Sequence, residues 1–156
     1  MRVLALDSGI ERTGYAVFDY KNKKHELLAY GLVKTSKNDD LSARLFELSQ
    51  KLDEILMRNT PDVCVLEQLF FNTNQKTAII VAQAQGATIL TVTKRSIPVE
   101  FISPLTVKQA ITGDGRADKK QIQKMVSFTI KFPVKPETDD VYDAVACGMA
   151  YCILHK

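Results

Sequence analysis

Long apolar runs, histidine and closely spaced cysteines are scarce in this sequence, and each scarcity closes a route. The aliphatic stretch 78–82 is far shorter than the roughly 20 residues that span a bilayer, so no membrane span is expected. Only Val3, Leu4, Ala5 and Leu6 precede Asp7, too little for the apolar core of a secretory signal. Cys64, Cys147 and Cys152 lie in apolar surroundings, and no two have CxxC spacing. That removes a zinc or dithiol motif and points to reduced, buried thiols in a cytoplasmic protein. Repeats, low-complexity tracts and Ser/Gly/Pro-rich linkers are also missing, so residues 1–156 read as one domain.

What is present is ordinary globular material. Hydrophobic residues make up 46% and charged residues 25%, enough for a sizeable core without staples. The net charge of +3 says little, but its distribution says more. Between Lys94 and Lys135 stand nine basic residues, among them Lys108, Arg116, Lys119, Lys120 and Lys124, against Glu100, Asp114 and Asp118. Such a surplus is either a solvated basic face or a surface for a polyanion.

Patterning gives the order β-β-β-α-β-α-β-α-α-α. Val3 to Asp7 is a short buried strand, followed by strands over 14–20 and 26–33 in a meander. Leu41, Leu45, Leu48, Leu52, Ile55 and Leu56 recur every three or four residues, the stripe of an amphipathic helix begun by Asp39 or Asp40. Val63 to Leu66 is a fourth strand, ending at Glu67. Residues 75–93 form a nearly uncharged helix rich in Ala and Gly, placed either centrally or at a subunit contact, and 99–102 a fifth strand. Ser103-Pro104 opens a short helix, and Asp118 opens a basic one with Ile122, Met125 and Val126 inward. Thr138 or Asp139 begins a last helix with Ala144, Val145, Gly148, Met149 and Cys152 on its inner face. A helix joining the first and fourth strands makes them parallel neighbours. The expected fold is α/β, a five-stranded mixed sheet of order 3-2-1-4-5 with strand 2 antiparallel, flanked by helices.

In that topology Asp7 and Glu67 end adjacent parallel strands on one sheet edge, where open α/β sheets bind ligands. Either acid alone could face solvent or cap a helix; two at matched positions favour function. Asp140 and Asp143, three apart near the start of the last helix, share a face. The helix dipole accounts for Asp139 and in part Asp140, but Asp143 precedes an apolar run and requires a partner. Two such charges 4 Å apart repel by roughly 4 kcal/mol at an effective dielectric of 20. Four converging carboxylates therefore need cations, and oxygen ligands without His or Cys select Mg²⁺ or Mn²⁺. Two such ions about 3.5–4 Å apart suit phosphodiester hydrolysis, one activating water and the other stabilising the leaving 3′ oxygen. His25 and His155 are not needed.

The chain resembles the RuvC-type Holliday-junction resolvases, in the RNase H-like superfamily. The resemblance rests on Leu4-Ala5-Leu6-Asp7-Ser8-Gly9 with Thr13-Gly14-Tyr15, and on Leu66-Glu67-Gln68-Leu69-Phe70. Asn74, Ala82-Gln83-Ala84-Gln85-Gly86, Val107-Lys108-Gln109, Gly113, Lys119 and Asp140-Val141-Tyr142-Asp143-Ala144 follow in order. It implies a Mg²⁺-dependent crossover junction endodeoxyribonuclease acting in recombination and repair. Two ions per site would be held by Asp7, Glu67, Asp140 and Asp143, with Mn²⁺ able to substitute. It further implies a homodimer making paired nicks and a RuvA–RuvB branch-migration partner. Lys108 and Lys119 match DNA-contacting or catalysis-supporting positions, and Phe70 an aromatic that stacks near the junction centre. Phe70 and Phe71 sit in a polar loop beside Glu67, a placement that suits one exposed ring on an unpaired base. Arg116 and Lys120 are further candidate DNA contacts. Ser8, where the family commonly has Pro, and Gln85, commonly Arg, depart from the pattern. Two rivals remain: a non-catalytic junction-binding protein, and an actin-like ATPase-fold phosphotransferase, for which Asp7-Ser8-Gly9 would be a phosphate loop.

Overall fold

In the computed structural model of the chain, residues 1–69 and 75–155 are described, with backbone alone for 75–77. Five strands run β1 (Arg2–Asp7), β2 (Arg12–Lys21), β3 (Lys24–Lys34), β4 (Val63–Glu67) and β5 (Val99–Ile102). The helices are α1 (Leu41–Asn59), α2 (Gln75–Thr93), α3 (Pro104–Thr112), α4 (Lys119–Thr129) and α5 (Asp139–Leu154). The sheet order is β3-β2-β1-β4-β5, with β2 antiparallel to both neighbours and β1, β4 and β5 parallel. The expected architecture is the one observed.

Local chemistry accounts for the joints. Asn22 and Lys23 both take positive φ in a two-residue hairpin between Lys21 and Lys24, matching the right-handed strand twist. Thr60 ends α1 in the left-handed conformation, and Pro61 follows. At α3 the Ser103 hydroxyl accepts from the Thr106 N–H at 3.0 Å with Pro104 in the first turn. At α4 the Asp118 carboxylate accepts from the Gln121 N–H while the Gln121 side chain accepts from the Asp118 N–H, each at 2.8 Å.

Strand alternation divides the core. Leu4, Leu6, Cys64 and Leu66 face α1, packing with Leu52, Leu56 and Val92. Val3, Ala5, Val63 and Val65 face the other way, onto α5 and the buried sides of α3 and α4. Every residue of β1 from Val3 to Leu6 is fully buried, which is why that strand reads as continuous apolar sequence.

Two expectations need correction. Met125 is substantially exposed; Ile122 and Val126 make the inner face of α4, continued by the buried capping residue Ile130, because a step of four from Ile122 continues the stripe and Met125 falls beside it. In α5 there is no single inner face, since each residue from Val141 to Cys152 except Asp143 is buried. That helix lies in a trough between sheet, α3 and α4, and α2 is the more peripheral of the two small-residue helices, with Ile79, Ile80 and Leu90 exposed.

Close approach of α5 to the sheet depends on Gly148. A Cβ there would stand 2.6 Å from the Phe18 ring and 3.0 Å from Ala5 Cβ. Gly148→Ala should therefore cost about 1–3 kcal/mol in urea denaturation. Combining it with Phe18→Leu should recover part of that loss relative to the sum of the single changes.

Candidate active site

The alternation that buries Val3 and Ala5 against α5 also turns Asp7 to that side, and Val63 and Val65 do the same for Glu67. Leu6 and Leu66 are in register across the parallel pair, so the two acids leave the sheet side by side. The turn after Asp7 is tied by Thr13, whose buried hydroxyl donates to the Gly9 carbonyl at 2.6 Å. Gly9 is required there, because a Cβ would meet the Arg12 carbonyl oxygen at 2.4 Å.

Gly14, opposite Asp7 in β2, brings in the other two acids. A Cβ on it would fall 1.9 Å from the Asp140 carbonyl oxygen, so only glycine lets the first turn of α5 rest on β2 at this point. Asp140 and Asp143 are thereby delivered to the edge that Asp7 and Glu67 occupy. From α4, Lys119 donates to Asp143 at 2.8 Å and lies 3.4 Å from Asp139, which Gln123 also binds at 2.8 Å. From α3, Lys108 reaches the same place. Asp7, Glu67, Asp143, Lys108 and Lys119 line one cavity of about 190 Å³, closed below by Val107, Ile122 and Ala146.

Electrostatically the cavity is overloaded with negative charge. Burial, then the charges of Asp143, Glu67 and Asp140, push the Asp7 carboxyl up to about 7. Burial and Asp143 also raise Glu67, although Lys108 and Lys119 oppose the shift. Asp143 is raised as well, because burial with the charges of Asp139 and Asp140 outweighs its bond to Lys119. Burial works against the Lys119 ammonium, but Asp143 and Asp139 outweigh it and hold the proton on. Among the described residues no three acids, histidines or cysteines stand close enough to hold an ion as they are. The donors nonetheless fit a hard divalent cation: they are all carboxylates, and three are forced above their ordinary range by one another and by burial.

The four acids expected from sequence thus gather at one edge, with Lys108 and Lys119 among them. Asp140 is set apart: it is absent from the cavity wall and pairs with Arg12 at 3.5 Å. Lys120 lies farther out, beside Lys124 and Lys135 in a groove between α4 and the stretch before α5. Arg116 is exposed in the loop before α4 and lines none of these cavities. Phe70 and Phe71 lie outside the described residues. Gln85 is buried and donates to the Glu67 carbonyl at 3.0 Å, so it steadies the end of β4 from within the fold. Arg12 and Gln123 went unnoticed in the sequence. The available signal for Arg12 was its place two residues before Gly14, hence on the same face of β2.

A sheet of this order with carboxylates crowded at its β1–β4 edge defines a nuclease of the RNase H-like class. Residues 3–152 match the family described as crossover junction endodeoxyribonuclease RuvC. A relative of that description from Finegoldia magna is 43% identical over 151 residues, covering 97% of this chain and 92% of its own. One from Caldicellulosiruptor saccharolyticus is 43% identical over 154 residues, covering 98% and 93%. Among solved structures, Thermus thermophilus RuvC in complex with Holliday junction substrate is 28% identical, with a TM-score of 0.90 over 99% of this chain and 94% of that one. The chain belongs to the RuvC family of crossover junction endodeoxyribonucleases.

The Asp7 shift has a sign that can be tested. Its carboxyl loses the proton near pH 7 in the fold against 3.8 ordinarily. Between those values the folded chain holds a proton that the unfolded chain has released, so stability falls as pH rises through that window. The gap corresponds to roughly 4 kcal/mol. In chelator, Asp7→Asn should be more stable than the parent at pH 8 by about 1–3 kcal/mol, with a shallower decline from pH 4 to 7 in urea denaturation. Parallel profiles would show that Asp7 is not the source.

Proposed function

We propose that this chain resolves four-way DNA junctions by hydrolysing phosphodiesters with two Mg²⁺ ions, or Mn²⁺ in their place, held by Asp7, Glu67, Asp140 and Asp143. The observation that carries this reading is the crowding of raised carboxyls around one cavity at the β1–β4 edge. The Thermus thermophilus relative, solved on Holliday junction substrate, has the same fold over nearly the whole chain. A binding module would gain nothing from acids that repel DNA.

Ions in this cavity would acidify water and offset charge developing on the phosphate oxygens. The chain's own residues do the rest. Asp7, poised near neutrality, gives up its proton readily to become a donor oxygen. Glu67 and Asp143 face it across the cavity. Lys119 keeps its proton while half its side chain is exposed, so it can meet a phosphate without leaving the site. Lys108, which lines the same cavity from α3, supplies a second positive charge, and Lys120 continues the basic track along α4. Arg116 and Phe70 complete the proposed DNA surface.

The reading extends to assembly. Exposed Ile79, Ile80 and Leu90 on α2, with exposed Phe46 on the adjoining α1, are apolar surface that a second copy would cover, giving a homodimer with two sites. Residues 1–156 form one nuclease domain on this view. The RuvA–RuvB branch-migration complex is the proposed partner, and the cytoplasm the proposed location. No described helix is long and apolar enough to cross a membrane.

Purified chain should nick synthetic four-way junctions in Mg²⁺ and stop in EDTA. Asp7→Asn, Glu67→Gln and Asp143→Asn should each lower cleavage by at least about 100-fold while retaining junction binding in a gel-shift assay. Cleavage undiminished by chelator would overturn the metal site. Lys108→Ala or Lys119→Ala should each reduce the salt slope of junction binding by about one. In sedimentation equilibrium, Ile79→Glu should shift the chain from dimer towards monomer.

A further inference from the structure

Five charged groups at the site are paired in a pattern that the cleavage reading does not use. Asp143 and Asp139 share Lys119, whereas Asp140 is held by a different cation on a different element. The Arg12 Nε stands 3.5 Å from an Asp140 oxygen, and Asp140 is the one candidate acid missing from the cavity wall. Asp140 still belongs to the same charge cluster, since its charge helps to raise Asp7 and Asp143. The pairing is built in by the backbone. Arg12 lies two residues before Gly14 on β2, on the face where Gly14 touches the Asp140 carbonyl. Half of the Arg12 side chain is exposed, so it can withdraw into solvent without disturbing the core.

We propose that Arg12 is a positioning residue that parks the Asp140 carboxylate outside the acid cavity until a divalent cation competes for it. The inference rests on the metal-site reading above. A guanidinium and a metal ion compete for the charge of one carboxylate, so ion entry would weaken the Arg12–Asp140 pair. The pair is partly exposed and therefore weak, which makes it an exchangeable hold. Glu11, the other acid beside Arg12, is engaged by Lys37 at 2.9 Å; the Arg12 charge reaches Glu11 and Asp139 through space, and Asp140 is the acid it pairs with directly.

The test is Mn²⁺ titration of the full chain by calorimetry, without DNA. Arg12→Gln should bind Mn²⁺ about 2–5-fold more tightly than the parent, since a competing ion pair is gone. Arg12→Lys, which keeps the charge, should stay closer to the parent. In an Asp140→Asn background the Arg12→Gln gain should disappear, because the carboxylate under competition is absent. Equal Mn²⁺ affinity of parent and Arg12→Gln would overturn the inference and leave the metal site standing. The same gain with and without Asp140 would also overturn it, reducing Arg12 to a general repulsion. A parent that binds no Mn²⁺ would overturn both readings.

Discussion

Mutual repulsion among carboxylates at the end of two buried strands is the constraint on which this molecule turns. Asp7 and Glu67 are placed beside each other by parallel register, and neither can move away without breaking the alternation that seats Val3, Ala5, Val63 and Val65 in the core. The energy of that crowding is held by the hydrophobic core, which is large enough to carry it. Three cations near the site answer the repulsion: Lys119 on Asp143, Arg12 on Asp140, and Lys108, whose charge opposes the rise of Glu67.

The answers come from different elements, and this matters for chemistry. A cation on the same helix as an acid would move with it. Lys119 is on α4, Lys108 on α3 and Arg12 on β2, whereas Asp140 and Asp143 are on α5. Small shifts between elements can thus regroup the charges without refolding any of them. The N-terminal end of α5 adds its own positive potential under Asp139 and Asp140, easing the accumulation of negative charge there.

Much of this was legible in the residues. The apolar quartets before Asp7 and Glu67 fixed both strands and their direction, and the helix between them fixed their adjacency, so the acid pair followed from topology. The Ser103-Pro104 and Asp118 starts were equally readable, because capping is local chemistry. What escaped had non-local causes. Met125 borders the apolar stripe of α4 and faces solvent, since exposure at such a border depends on what packs nearby. The all-round burial of α5 depends on α3 and α4 closing over it. Arg12 is an unremarkable surface residue until Gly14 and Asp140 are known to touch. Gln85 looked like a lost basic contact and proved to be an internal tether for β4.

The enclosed position of α5 carries a consequence for durability. Apart from Asp143, its residues from Val141 to Cys152 are buried, so their amides should be among the last to exchange with solvent. Two of the four acids ride on that helix. Asp143 rides on the enclosed stretch, so its backbone stays in place as long as the core around α5 does, whereas Asp140, before that stretch, keeps the freedom of the helix's first turn.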